Sequence, residues 1–238
     1  MGIKHEEGAM KGKLGVILFV MTMAAPVHAG IVIPDRPALN AILGASAVTE
    51  DFQDINLAGT SFVNVGTSFN PSTLIPAAGP VPAQGPGLVV NGVSFSSPGG
   101  LRVAQNVGVL NPTQVLRTIL NDSLLIDFTQ PVSAFGLDFI YNSGVTQTAH
   151  VDILGADDTT ILQTHNFGSF SGANGAAFFF GVTDPGIGAV RITETLDGTT
   201  NPFFITVDNV TFAAVPEPSS VLLVLTGLGS LVWWKKRV

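Results

Sequence analysis

The side chains with the most chemical reach are few and widely spaced. His150 and Asp152 stand two apart, which puts both on one face of a strand, and His165 follows on the next run of residues. Two imidazoles and a carboxylate are a donor set for a transition metal. Spacing ties no third ligand to the first two, so the trio reads as polar side chains turned to solvent. Gly168-Ser169-Phe170-Ser171-Gly172 has the outline of a nucleophile elbow, but Phe170 stands where the attacking serine belongs. Asp157-Asp158 and Asp197-Gly198 lack the spacing of an EF-hand loop. Glycoside hydrolysis needs two carboxyl groups at a set separation, a tertiary quantity, and no pair stands out along the chain. One acidic position is informative. Phe203, Ile205 and Val207 are apolar at odd numbers, whereas Val210 and Phe212 are apolar at even ones. Parity flips across Asp208-Asn209, which predicts a β-bulge there.

The elements that must position these residues read as strands. Candidates are Val48–Phe52, Ser61–Val65, Leu88–Phe95, Leu101–Val103 and Leu124–Phe128, then Phe135–Tyr141, Val145–Leu154, Thr159–Phe167, Ala176–Val182, Ala189–Leu196 and Phe203–Ala213. Period-two alternation marks the half-buried ones, as in Phe135, Leu137 and Phe139 against Gly136 and Asp138. Phe178-Phe179-Phe180 is apolar on both faces, as expected of a strand covered on two sides. Turn chemistry separates the runs at Ser96–Gly100, Asn142–Gly144, Ala156–Asp158 and Asp184–Gly186. Gly30–Ala47 shows no clear element. Asn111-Pro112 opens either a short helix with Leu116, Ile119 and Leu120 on one side or another strand. Asn70–Gly87, with five prolines, three glycines and no charge, reads as a long loop or irregular edge. About ten strands at short spacing predict an all-β fold, an antiparallel β-sandwich.

Composition narrows the partners. Residues 30–215 hold four arginines, no lysine and fourteen Asp/Glu, a formal charge of −10, against −7 for the whole chain. A domain so acidic repels phosphate backbones at long range, which counts against nucleic acid as a partner. The chain has no cysteine, which removes disulfides and thiolate metal sites.

Both ends read as targeting segments. Residues 1–29 form a signal peptide: Lys11 and Lys13, the apolar run Leu14–Val20, then small residues ending Val27-His28-Ala29, with cleavage after Ala29 and Met10 as a plausible true start. Residues 30–214 are the exported domain. At the other end stand Pro216-Glu217-Pro218, an uncharged apolar run, Trp233-Trp234 and Lys235-Lys236-Arg237. The prolines stiffen the spacer and keep it out of the following helix. Ser219–Trp234 supplies 16 residues, roughly 24 Å of helix. A bilayer core is about 30 Å thick, so the two tryptophans and the snorkelling cations must help to fill the span. The basic end places the C-terminus in the cytoplasm.

Residues 215–238 closely resemble the PEP-CTERM sorting signal of exported bacterial proteins. That resemblance implies recognition by an exosortase, transient anchoring in the inner membrane, cleavage near the tripeptide and delivery to the cell surface or extracellular matrix. The strand pattern over Val48–Phe212 resembles the jelly-roll, lectin-like domains that precede such tails. Jelly-roll carbohydrate-binding modules often hold a structural Ca²⁺ between an acidic residue of the first strand and an aspartate of the last. The resemblance therefore implies Asp208 as one ligand, with Asp54, Glu50 or Asp51 as the other.

The resulting expectation is a structural or interaction protein, exported and sorted, without catalysis. The alternatives are a carbohydrate-binding module for exopolysaccharide and a glycan hydrolase. Replacing Pro216, Glu217 and Pro218 with alanine is expected to leave the full-length chain in the inner-membrane fraction on immunoblots. Normal processing of that variant contradicts the sorting role.

Overall fold

Burial alternates where the apolar pattern does, as along Val93–Ser96 and Leu124–Phe128. In the computed structural model, which describes residues 30–105, 113–120, 122–140, 147–170, 177–196 and 204–214, ten strands pair antiparallel in one continuous sheet. The signal-peptide segment ending at Ala29 and the sorting segment, with Pro216, Glu217, Pro218, Trp233, Trp234, Lys235, Lys236 and Arg237, lie outside the described residues. Among the described residues no helix is long and apolar enough to cross a membrane.

The sheet folds over on itself because three long strands each belong to both layers. Strand β6 (Leu124–Ile140) first pairs Leu124–Asp127 with Ile192–Ala189 of β9 (Ala177–Leu196), and with β4 (Val93–Gln105) on its other side. Past Pro131 its second half pairs Ala134–Ile140 with Thr183–Ala177 of β9, and with β10 (Thr206–Ala214). The first layer continues from β9 through β7 (Gln147–Leu154) to β8 (Ile161–Phe170). In the second layer β1 (Ile31–Ile33) lies beside β9 and β2 (Val48–Glu50) beside β10, while β5 (Gln114–Thr118) joins β10 to the second half of β4. Strand β3 (Phe62–Phe69) follows β4 at the edge.

Two of the expected turns are instead corners inside single strands. Ser96 of β4 opposes Ser68, and Leu101 opposes Gly66, so Ser97–Gly100 bulge out of register. The same happens in β9, where Thr183 and Ile187 oppose Ala134 and Val132 and Asp184-Pro185-Gly186 fill the gap. Proline lacks the ladder N–H, so inside a sheet it is confined to edges and bulges. Pro98, Pro131 and Pro185 all sit at such irregularities. The Asn111-Pro112 alternative resolves as strand for the described part, Gln114–Thr118.

Between the layers runs a core rich in phenylalanine. Phe128 meets Phe135 and Phe212 at 5.7 and 5.2 Å between ring centroids, and Phe180 meets Phe135 and Phe167 at 6.4 and 5.1 Å. Such edge-to-face and tilted pairs add about 0.5–1.5 kcal/mol each beyond burial. The long proline-rich segment closes one end of this core. Ile75 and Val81 are buried, and Gln84 accepts from the Asn56 amide at 2.7 Å while donating to its carbonyl at 2.9 Å.

Gly30–Ala47 contains the one α-helix among the described residues, α1 (Arg36–Leu43), capped by Asp35 Oδ1 accepting from the Ala38 amide at 2.8 Å. Leu39 and Leu43, one helical turn apart, are buried against Ile33, Ala134 and Ala213 on the outer face of the second layer. This is why Phe178-Phe179-Phe180 is apolar on both faces: Phe180 enters the main core and Phe179 packs under α1. Gly136 makes room for the helix, since a Cβ there would lie 2.6 Å from Leu39 Cδ2 and 3.0 Å from the Phe179 ring. Gly136→Ala is expected to cost about 1–3 kcal/mol in urea unfolding; an unchanged midpoint contradicts this seating of α1.

Candidate functional site

The expected bulge in β10 is present. Its register against β6 shifts between Asp208 and Thr211, and Asn209 adopts a left-handed φ of 49°. Asp208, 3% exposed, accepts from the Asn209 amide at 2.8 Å, and Thr113 also bonds its carboxyl. Asn209 Nδ2 donates to Asp138 Oδ2 at 2.9 Å, and Arg36 reaches Asp138 at 2.8 Å while lying 5.1 Å over the Phe179 ring. Glu50, on β2 opposite Val210, is equally buried and accepts from the Phe52 and Val90 amides, each at 2.7 Å. Burial raises its pKa, against those two hydrogen bonds. Burial also pushes Asp208 up to about 7, with the charges of Asp138 and Asp51 adding to it. Asp54, the other proposed calcium ligand, is exposed in the loop after β2. Among the described residues no three His, Asp or Glu side chains form a group able to hold a metal ion.

His150 and Asp152 do share a strand face, on the outer side of the first layer. His150 lies 2.6 Å from Asn166 Oδ1 and 3.0 Å from Asp152 Oδ1, and Asp152 also accepts from Thr164 and Arg191 at 2.8 and 2.9 Å. Burial works to raise the Asp152 carboxyl, but these partners outweigh it and hold its pKa below the usual value. His165 does not join them. It pairs opposite the buried Val151, packs 5.3 Å from the Phe180 ring, and burial lowers its pKa. The two histidines thus occupy opposite faces of the sheet, which rules out a shared metal.

A third cluster was not singled out along the chain. Arg102 of β4 and Arg117 of β5 are direct cross-strand partners, and Asn64 of β3 opposes Arg102 on the other side. All point outward, since Leu101, Val103 and Leu116 beside them are fully buried. The Arg102 guanidinium lies 4.9 Å over Phe62 and 5.4 Å over Phe204, and that of Arg117 lies 3.8 Å over Phe204. Helix α1 packs on β1, β6 and β9, and no described helix is seated on β5, β4 and β3. Phe62 remains 45% exposed there. The signal in the sequence was faint: two of the four arginines of residues 30–215 sit within uncharged strand runs, in Leu101-Arg102-Val103 and Leu116-Arg117-Thr118.

The other two described arginines outside this cluster are ion-paired, Arg36 with Asp138 and Arg191 with Asp152. Among the described residues no carboxylate lies within ion-pair distance of Arg102, and its buried Nε–H has no hydrogen-bond partner. A guanidinium stacked through its face keeps its in-plane N–H groups for a ligand. Three residues further along the same two strands, at the end of the sandwich, Gln105 and Gln114 line a cavity of about 280 Å³ with Asn56, Leu57 and Thr60.

The fold is an antiparallel β-sandwich. No family model matches the chain, and no curated protein does. Among solved structures it is similar to the second CBM22 xylan-binding domain of Paenibacillus barcinonensis Xyn10C: 16% identity, 71% of this chain and 99% of that one, TM-score 0.36. It is similar too to the K1 cleaved adhesin domain of Lys-gingipain from Porphyromonas gingivalis, at 10% identity over 72% and 100% of the chains, TM-score 0.37. A third is a family 29 carbohydrate-binding module from Piromyces equi, at 12% identity over 65% and 90%, TM-score 0.32. Likeness at this level carries no argument about what this chain binds.

Asp208 carries a pH signature. Its native pKa of about 7 lies above the ordinary 3.8, so the folded state holds the proton more tightly than the unfolded chain. The resulting stabilisation is complete below the unfolded value and declines as pH rises towards the folded one. Urea unfolding of the wild type is expected to lose on the order of 3 kcal/mol from this group between about pH 4 and pH 7. Asp208→Asn is expected to flatten that slope; an unchanged slope contradicts the assignment.

Proposed function

We propose that this chain is an exported surface or matrix protein whose β-sandwich is a glycan-binding module, using the outer face of β3, β4 and β5. The targeting half of the reading rests on the sequence of the two ends. There an exosortase and the export machinery are the partners, and the inner membrane is a station on the way to the surface. No catalytic step is assigned to the sandwich.

One observation carries the binding half: Phe62, half exposed, lies with its ring centroid 4.9 Å from the Arg102 guanidinium on a sheet face that no described helix covers. An aromatic ring on a rigid strand presents an apolar face to the C–H side of a sugar ring. The neighbouring Asn64 and the guanidinium groups supply polar contacts at the rim. Because strands rather than loops hold these groups, little order has to be created on binding. Tryptophan and tyrosine do not contribute: the chain's two Trp and one Tyr lie outside the described residues.

Affinity electrophoresis of the full-length chain through gels cast with a panel of polysaccharides tests this. At least one polysaccharide is expected to retard the wild type, and Phe62→Ala is expected to weaken that binding roughly tenfold with an unchanged melting temperature. Migration unaffected by every polysaccharide contradicts the reading.

A further inference from the structure

We infer that the ligand of this face is an acidic polysaccharide whose carboxylate or sulfate groups are gripped by Arg102 beside Arg117. The inference rests on the glycan-binding reading and deepens it by naming the chemical class.

In a region with fourteen Asp/Glu and four arginines, a cation has ample carboxylates to choose from. Arg36 and Arg191 each took one, at 2.8 and 2.9 Å. Arg102 did not, among the described residues. It is instead held between Phe62 and Phe204, and its register partner across β5 is another arginine. Like charges directly opposite on neighbouring strands destabilise a sheet. Arg102, set beside a second cation at that cost and lying over two rings, offers its own planar fork of N–H groups to a planar or tetrahedral oxyanion.

The overall charge of −10 across residues 30–215 repels polyanions at long range. Recognition must therefore come from close contact at Arg102, not from steering. That favours a sugar acid over an acidic peptide, because Phe62 and Asn64 border the cations with an exposed ring and an amide suited to pyranose faces and hydroxyls. A neutral glycan leaves the Arg102 charge unanswered.

Isothermal titration of the full-length chain tests the inference with polygalacturonate, its carboxyl-reduced neutral form, and polyglutamate as a peptide polyanion. The expected result is binding of polygalacturonate at least tenfold tighter than of either other polymer. Arg102→Gln is expected to lose at least roughly tenfold of that affinity, and Arg102→Lys, which keeps charge and stem but not the fork, roughly threefold or more. Arg191→Gln, with the same change of charge on the other layer, is expected to bind as wild type. Equal binding of the carboxyl-reduced polymer overturns the acidic class and leaves the glycan reading standing. Binding of neither sugar polymer, across the wider panel as well, overturns both. Equal or tighter binding of polyglutamate, or dissociation of a dimer by Arg102→Gln in light scattering, overturns the inference in favour of a protein partner or a second copy.

Discussion

The structure depends on one constraint: a single antiparallel sheet has to cover its own apolar face, and three of its strands do so by turning a corner. β6 and β9 turn together, around Pro131 and Asp184-Pro185-Gly186, and β4 turns at Ser97–Gly100. Each corner carries its strand from one layer into the other, so the two layers are joined by continuous backbone as well as by the phenylalanine core. Phe135 and Phe180 lie in the second layer, and Phe128 in the first. Their ring contacts close the space that the bend opens.

Much of this was legible in the alternation of apolar residues. The strand runs, the bulge at Asp208-Asn209 and the two-sided character of Phe178–Phe180 all follow from counting parity. The corners were not legible as such. Pro98 with two glycines, and Asp184-Pro185-Gly186, have the composition of hairpin turns, and only the pairing of flanking residues with the same neighbour strand shows that the chain does not reverse there. Helix α1 was missed because eight residues carry little periodic signal, although its Asp35 cap and Pro37 near the start were visible in hindsight. The candidate face escaped for a different reason. Arg102 and Arg117 are fifteen positions apart and meet only through the register of β4 and β5.

The same scarcity of cations organises the electrostatics. Among the described residues no arginine pairs with the buried acids Glu50 and Asp208, which rest on backbone amides and, for Asp208, on Thr113, so burial raises them. Asp152, with Arg191, is held low. Asp138 takes Arg36 and thereby ties α1 to the bulge of β10 through Asn209. What is left is Arg102, stacked over Phe62 and Phe204 on β4 with no carboxylate in ion-pair reach among the described residues. A site of this kind is rigid before a ligand arrives, which lowers the ordering cost of binding.

The most direct measurement is backbone amide chemical-shift mapping of the full-length chain titrated with polygalacturonate. The account predicts that the largest shifts fall on Phe62, Asn64, Arg102 and Arg117, with His150, Asp152 and Arg191 unmoved. Shifts confined to β7 and β8, or spread evenly over the chain, contradict it.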